Sequence, residues 1–245
     1  MPRRPTATTV AKKRRFDSCP VDCKKLRVVP DSGNPISFLA DYFSVISGIV
    51  SANDAFWFRG HAQPYWNLTP GALRYPTVDE RRKALGLISD FKRIAEAKLS
   101  RLPDPDDGFK WAQIAQHYGL PTRLLDWTES ATAALYFACL SPTTDGIVFV
   151  LNPIELNRMS KVGQARILDP QSDREFILRF LNRGPRERKR PSLPVAVNPT
   201  WSTERLIVQK GTFTLHGSLF SLNKANVPSL SRNSHPRGME APASN

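Results

Sequence analysis

The sequence predicts one mixed α+β domain, in which a small central sheet is packed by helices. Two patterns indicate this fold class. Apolar residues recur at helical spacing over residues 79–100, whereas Gly146–Leu151 is a continuous apolar run of strand length. Such a run is typical of a strand that is buried on both faces. The length of 245 residues fits a single domain with tails, and an apolar content of 40% is enough for a sizeable core.

The positive charge is concentrated outside the predicted domain. Of the formal net charge of +13, residues 1–27 contribute +7 and residues 183–190 contribute +4. We therefore predict a disordered basic tail over residues 1–27, a domain over residues 28–216 and an irregular tail over residues 217–245. The basic tail and loop would attract RNA or DNA backbones without reading their sequence, or would serve only to keep the protein in solution.

Composition argues against several other classes of protein. No apolar run approaches the length of a membrane span and no secretory signal is visible, so we expect a cytoplasmic protein without membrane attachment. Three cysteines fit a reducing compartment better than a disulfide scaffold. The acidic loop over residues 102–108 lacks calcium-loop spacing, and Cys19 and Cys23 lack two further zinc ligands, so no metal site is predicted.

The first predicted elements are a strand, a helix and a second strand. Residues 26–29 favour a short strand. Residues 34–50 favour a helix, because an asparagine–proline pair is a common helix start and a broad apolar face follows it. The aromatic run over residues 56–58 predicts a strand that ends in Arg59.

Arg59 lies at the end of a predicted buried strand, where an unpaired guanidinium is costly. One interpretation is that Arg59 pairs internally, for example with Asp126, and stabilises the fold. The other is that it faces a pocket and holds a ligand phosphate, which its planar fork suits well. Gly60 would let a ligand or another backbone segment approach closely. Arg74 would supply a second anion contact or, more ordinarily, a surface ion pair.

The densest pattern in the chain spans residues 109–140. Apolar residues at helical spacing predict a first helix that ends near Gly119, and Thr128 predicts the N-cap of a second helix with a small-residue face. The sequence therefore predicts a helix, a tight connection and a helix, with Arg123 and Asp126 held in the connection.

His117 falls at the end of the first of these helices. Because histidine titrates near neutrality, His117 is a candidate general base. A single histidine at a helix end is more often a cap or a hydrogen-bonding core residue, so both interpretations remain open.

The last third of the chain predicts helices followed by a hairpin. Residues 154–182 predict one or two helices, and the basic, proline-bounded residues 183–199 predict a surface loop. Arg205–Gln209 and Thr212–Leu215 predict two strands joined around a lysine–glycine pair. Gln209 would then lie at a strand end near Arg59, where its amide can orient a ribose hydroxyl or a base edge.

Three stretches resemble the FRG domain family, which is named for a Phe/Tyr-Arg-Gly motif. They are FWFRGHAQPYWNLTPGALRYP, QHYGLPTRLLDWT with the following ALYFA, and RLIVQKGTF. The resemblance extends roughly from Asn34 to Phe213. It implies a further helix and strand beyond the last stretch, which this sequence lacks, so we expect a C-terminally truncated or frame-shifted member.

A strand-end arginine followed by glycine, with a polar residue after a later strand, also resembles the ADP-ribosyltransferase arrangement. That resemblance implies an arginine that anchors NAD and a late glutamate that acts at the nicotinamide ribose. Gln209 stands at the late position and carries no negative charge. Asp126 or Glu204 would have to supply the carboxylate.

The first functional hypothesis is therefore a toxin- or phage-defence-type enzyme that binds a nucleotide such as NAD as its substrate; the sequence assigns no cofactor with certainty. The candidate catalytic residues are Arg59, Asp126 and Gln209, and the candidate substrate-binding residues are Gly60, His117, Tyr118, Thr122, Arg123 and Trp127. Arg59 and Arg123 would hold phosphates, and Tyr118 or Trp127 would stack on a ring.

Two other hypotheses belong to different classes. One is a noncatalytic module that binds RNA, DNA or another ligand through the basic tail and loop, with its arginines stabilising the fold. The other is an inactive structural fragment. The sequence contains no recognisable Ser-His-Asp catalytic triad, no phosphate-binding loop and no His-rich metal cluster. It therefore leaves open whether the protein is an enzyme.

Overall fold

A computed structural model describes residues 26–29, 36–50, 55–141, 143–160, 165–181, 193–200, 204–217 and 222. Several predictions lie outside these residues: the basic tail before residue 26, the helix start at residue 34, the basic loop over 183–190 and the irregular tail beyond residue 217, apart from Leu222.

Helices and strands are interspersed along the described chain, which confirms the predicted α+β class. The strands are β1 Leu26–Val29, β2 Trp57–His61, β3 Leu124–Thr128, β4 Gly146–Leu151, β5 Val195–Val197 and β6 Gly211–Leu215. The helices are α1 Leu39–Ile49, α2 Val78–Lys98, α3 Gly108–His117, α4 Ala131–Ala138, α5 Pro153–Met159, α6 Arg174–Leu181 and α7 Glu204–Val208. None of the described helices is long and apolar enough to cross a membrane.

Polar caps explain where the principal helices begin and end. The side chain of Thr77 accepts the amide of Glu80, whose carboxylate accepts the amide of Thr77 in return, so α2 starts with a capping box. Asp107 accepts the amide of Lys110 at 3.0 Å and starts α3. Gly119, with a φ of +84°, ends α3 as predicted, because glycine adopts this backbone conformation without strain.

The six strands form one sheet in the order β1-β4-β2-β3-β6-β5. β1 is parallel to β4, and the other neighbours are antiparallel. Every residue of β4 is buried, which confirms the prediction of a strand covered on both faces. The six-residue β4 thus holds together the half of the sheet that also contains β1 and β2.

Helices cover the two ends of one sheet face and leave its middle open. α1 and α4 pack on β2 and β4 around Phe58, whereas α3 and α6 pack on β3, β5 and β6 around Leu124. Because Phe58 pairs with Thr128 and side chains alternate along β3, Phe58 and Leu124 point to the same face. α5 covers the opposite face, where Leu156 packs with strand residues such as Trp57, Leu125 and Leu151 in a third core cluster.

Gly60 brings α4 close to the sheet. A Cβ at Gly60 would overlap the backbone carbonyl oxygen of Ala134 and would lie 2.7 Å from the backbone nitrogen of Ala138. The alanine-rich face of α4 fits against the position where Gly60 has no side chain, since Ala134 and Ala138 are fully buried. The sequence allows a ligand or a backbone segment to approach Gly60; the structure places the backbone of α4 there, and Gly60 also lines a cavity.

Three predictions of secondary structure are wrong. The predicted tight connection contains β3, so Thr128 ends a strand and Ser130 caps α4 by accepting the amide of Ala133 at 3.2 Å. Residues 195–197 form β5 rather than a loop, because they pair with β6. Residues 204–208 form helix α7 rather than a strand. Their β-branched and apolar composition favours a strand locally, but tertiary packing overrides this preference.

Candidate functional site

The open part of the helix-covered face contains a cavity of about 290 Å³, called here the first cavity. Its floor is formed by β2, β3 and β6, and its walls by α3, α4 and α7. Its lining residues are Phe58, Arg59, Gly60, Gln113, Gln116, His117, Asp126, Trp127, Thr128, Phe137, Leu206, Gln209, Gly211 and Phe213. The lining thus contains three phenylalanines, one guanidinium, one carboxylate, one imidazole and three side-chain amides. This composition is typical of small-molecule sites.

Arg59 lies where β2 and β3 separate. Five residue pairs join β2 to β4, whereas the register of β2 with β3 contains only the pair of Phe58 and Thr128. Beyond that pair, Nη1 of Arg59 donates a hydrogen bond to the backbone carbonyl of Asp126. The guanidinium therefore donates to the carbonyl of Asp126, which has no backbone partner on β2. This contact holds the guanidinium at the edge of the cavity.

The second contact of Arg59 is with His61 on the same strand. Nε of Arg59 donates to Nε2 of His61 at 2.8 Å, so the imidazole accepts through Nε2 and carries its proton on Nδ1. Burial, followed by the positive charge of Arg59, lowers the pKa of His61 to about 3. The imidazole is therefore neutral at physiological pH and does not compete with Arg59 for an anion.

No carboxylate forms an ion pair with Arg59 within the part of the chain that the structure describes. Burial lowers the pKa of Arg59, and the nearby negative charge of Asp126 partly opposes this effect. The contact that the sequence analysis considered between Arg59 and Asp126 thus runs to the backbone carbonyl, not to the carboxylate. A half-buried cation with no carboxylate partner among the described residues is the main electrostatic feature of the site.

Asp126 is held by a relay of side-chain hydrogen bonds. Oδ1 of Asp126 accepts from Nε2 of Gln116 at 2.7 Å, and Oε1 of Gln116 accepts from the hydroxyl of Thr122. Thr122 in turn accepts the amide of Leu124 at 3.1 Å. The relay fixes the orientation of the carboxylate at the cavity, while Asp126 itself stays exposed.

Gln209 reaches the cavity from the turn between α7 and β6. Its backbone carbonyl accepts the hydroxyl of Thr128 at 2.5 Å. Lys210 then adopts a φ of +45°, which reverses the chain into β6. The predicted proximity of Gln209 and Arg59 thus appears as shared lining of one cavity, although Gln209 follows a helix and not a strand.

Gln113 and Gln116 are cavity residues that sequence reasoning missed. Gln113 is 3% exposed, and its Oε1 accepts the backbone amide of Thr200 at 3.3 Å and the Thr200 hydroxyl. This contact fixes the amide orientation, and among the described residues Nε2 of Gln113 has no hydrogen-bond partner. With His117, the two glutamines form a polar stripe at i, i+3 and i+4 on α3, and this spacing was the available signal.

In the structure, three of the predicted substrate-binding residues do not present their side chains to the first cavity as expected. Arg123 is buried and donates to the backbone carbonyls of His216 and Gly217, at 3.3 and 3.0 Å. Trp127 borders the first cavity, but its indole is 3% exposed and Nε1 donates to the hydroxyl of Thr214, so it offers no face for stacking. Tyr118 is 56% exposed, lies outside the lining of this cavity and packs near Phe91. The structure does not bring Arg123 or Tyr118 to the site.

His117 borders the cavity at the exposed end of α3, and its ring packs edge-on against Tyr118 at 5.4 Å. Among the described residues, no group of three or more His, Cys, Asp or Glu side chains forms a metal-binding cluster. The chemical groups at the cavity are therefore the guanidinium of Arg59, the carboxylate of Asp126 and the imidazole of His117, with amides around them.

Comparison with known proteins identifies part of this chain. Residues 54–146 match the family model of the FRG domain, which confirms the resemblance over a narrower range than the motifs suggested. The matched range contains β2, β3, α3 and α4, and with them Arg59 and Asp126. No curated protein and no solved structure matches the chain.

Proposed function

We propose that the FRG domain of this protein is a nucleotide-binding enzyme domain that cleaves or transfers the glycosidic bond of an NAD-like substrate in the first cavity. The observation that carries the proposal is the guanidinium of Arg59, a cavity-lining residue that is half-buried and lacks a carboxylate partner among the described residues. An anionic ligand would neutralise this charge, and phosphate oxygens match the geometry of guanidinium donors.

The remaining lining supports the same ligand class. Phe137, which is only partly buried, provides an apolar surface on which a heterocyclic ring would pack, next to the buried Phe58 and Phe213. The unpartnered Nε2 of Gln113 would donate to an acceptor of the ligand, such as a ring carboxamide oxygen or a ribose oxygen. Gln209 would orient the ribose hydroxyls from the opposite side.

Asp126 would supply the catalytic charge. When the glycosidic bond breaks, its electron pair leaves with the nicotinamide nitrogen, and positive charge develops on the ribose C1 and ring oxygen. The oriented carboxylate of Asp126 would stabilise that charge until water or an acceptor hydroxyl attacks C1 and loses a proton. His117, at the exposed end of the cavity, would take up that proton.

Calorimetric titration of the purified chain with NAD tests binding, with Arg59→Gln as the variant and Arg93→Gln as the matched control. Arg93 lies on α2, pairs with Asp90 and has a side chain that is 76% exposed. Since hydrogen bonds to charged groups contribute about 1.5–3 kcal/mol, we expect Arg59→Gln to weaken NAD binding by about 10-fold to 100-fold. Arg93→Gln should bind as the wild type does.

Release of free nicotinamide from NAD, measured in the same preparations, tests catalysis. Turnover by the wild type and its loss in a folded Arg59→Gln variant would support the proposal. If the folded wild type binds no NAD, the proposal is wrong. Binding of RNA or DNA that depends on residues 1–27 and 183–190 would then be the function to test. The described residues include only the last two positions of the first of these basic segments.

A further inference from the structure

A second cavity of about 580 Å³ is also lined by Arg59. Arg59, Gln116 and Asp126 line both cavities, so the two are adjacent. The second cavity is bounded by the segment after the 3-10 turn Gly71–Leu73, which includes Arg74 and Tyr75, and by the loop over residues 119–122 that joins α3 to β3. A ligand group that is bound to Arg59 would therefore have room to continue past it.

Arg74 presents a second guanidinium to this cavity from a fixed position. Its Nε donates to the backbone carbonyl of Thr69 at 2.9 Å. The turn that precedes it is attached to the site, because Ala72 donates its amide to the carbonyl of Thr122 at 3.0 Å. Within the described ranges, no carboxylate pairs with Arg74, so the surface ion pair that the sequence suggested is not observed there.

The two arginines leave the second cavity with an excess of positive charge. Arg59 and Arg74 are the cations of its lining and Asp126 is the one carboxylate. The charge of Arg74 also contributes to lowering the pKa of Arg59, which means that the two guanidinium groups repel each other across the cavity. An anion between them would relieve this repulsion, and two phosphates would neutralise both.

We propose that the second cavity is a distal phosphate subsite, in which Arg74 holds the second phosphate of a pyrophosphate-linked dinucleotide whose first phosphate lies at Arg59. Tyr75, which is 39% exposed, would support the distal ring or ribose. This inference rests on the proposed function and assigns a substrate class to it: the domain selects dinucleotides over mononucleotides. Arg74 is the residue that determines this selection.

Titrations with NAD and with nicotinamide mononucleotide separate the two subsites. We expect the wild type to bind NAD at least about tenfold more tightly than the mononucleotide, since a charged contact contributes about that much. Arg74→Gln should weaken NAD binding about tenfold and change mononucleotide binding less than twofold. Arg59→Gln should weaken the binding of both ligands.

Two further variants control for charge and for folding. Arg74→Lys keeps the positive charge and should retain most of the NAD affinity. Arg82→Gln removes an arginine of α2 that pairs with Asp79 and should change neither affinity. Circular dichroism spectra that match the wild type show that each variant is folded.

The outcomes distinguish this inference from the function on which it rests. The distal subsite is wrong if the wild type binds NAD and Arg74→Gln binds it equally well. It is also wrong if Arg74→Gln weakens the binding of NAD and of the mononucleotide to the same extent. In both cases the proposed binding of NAD in the first cavity is still supported. If the wild type binds neither ligand, the proposed function fails, and the distal subsite fails with it.

Discussion

The guanidinium of Arg59 on β2 donates to the backbone carbonyl of Asp126 on β3, at the point where these two neighbouring strands cease to pair. One side chain thus closes a gap in the sheet, and the same residue lines two cavities. The structural and the functional interpretations of Arg59 are therefore not exclusive. A substitution that keeps a donor, such as glutamine, separates loss of charge from loss of the strand contact better than alanine does.

Replacing Gly60 with alanine should destabilise the fold strongly. The added Cβ would overlap the backbone of Ala134 in α4, and backbone cannot move aside as a flexible side chain can. Overpacking typically costs about 1–3 kcal/mol, and we expect at least the upper end of this range for the free energy of unfolding in urea.

Gly48→Ala is the matched control for Gly60→Ala. Gly48 lies within α1, and apart from its chain neighbours and its own helix backbone no atom of the described residues lies within 4 Å of the position of an added Cβ. Because alanine favours helix by about 0.5–1 kcal/mol over glycine, this variant should be unchanged or more stable. Equal stability of the two variants would contradict the close approach of α4 to β2.

Asp126→Asn should separate binding from catalysis. The asparagine Oδ1 still accepts the amide of Gln116, so the relay from Thr122 is preserved while the negative charge is removed. We expect NAD affinity within about threefold of the wild type, because charge stabilisation acts in the transition state and not in the bound substrate. The rate of nicotinamide release should fall at least about 100-fold, a loss typical for one electrostatic contact in a transition state.

Two other results for Asp126→Asn would be informative. An unchanged rate of nicotinamide release would exclude Asp126 as the charge that stabilises the ribose cation. A loss of NAD affinity that matches the loss of rate would make the carboxylate a binding residue instead.

His61 should make the stability of the protein fall as the pH decreases below about 6.5. Its pKa is about 3 in the folded chain and about 6.5 in the unfolded chain. Between these values the unfolded state binds a proton that the folded state excludes, so the free energy of unfolding decreases as the pH falls. The slope from this residue approaches about 1.4 kcal/mol per pH unit.

The variant His61→Gln isolates this contribution. Its side-chain oxygen can accept from Nε of Arg59 as Nε2 of His61 does, but it does not titrate. Urea unfolding of both proteins between pH 4.5 and 6.5 should show the steeper decrease in the wild type. Parallel pH profiles would mean that the imidazole is protonated in the fold.

Arg123→Met should destabilise the fold without changing ligand affinity. The substitution keeps much of the apolar length of the side chain but removes the donors to the carbonyls of His216 and Gly217. Leaving buried carbonyls without a donor costs about 1–3 kcal/mol each, so the midpoint of urea unfolding should shift to lower concentration. NAD affinity at equal folded concentration should match that of the wild type. A large loss of affinity would indicate that Arg123 contributes to ligand binding.

Local signals in the sequence were sufficient for several elements and for the centre of the site. The buried run of β4, the helical face of α3 and its end at Gly119 each depend on residues close together in the chain. The same holds for Arg59 and Asp126, since each stands out against the apolar segment that surrounds it. The family motif also lies within one continuous range, residues 54–146.

Tertiary structure alone decided how these segments meet. It made residues 124–128 a strand between β2 and β6 and turned residues 204–208 into a helix. It also placed Arg123 against the carbonyls of His216 and Gly217, whereas Arg59 lines the cavities. The physical reason is that strand partners, and the groups that satisfy a buried guanidinium, come from residues distant in sequence. Arg59 and Asp126 are 67 positions apart, and Arg123 and Gly217 are 94 apart. No local pattern encodes the sheet register that brings such pairs together.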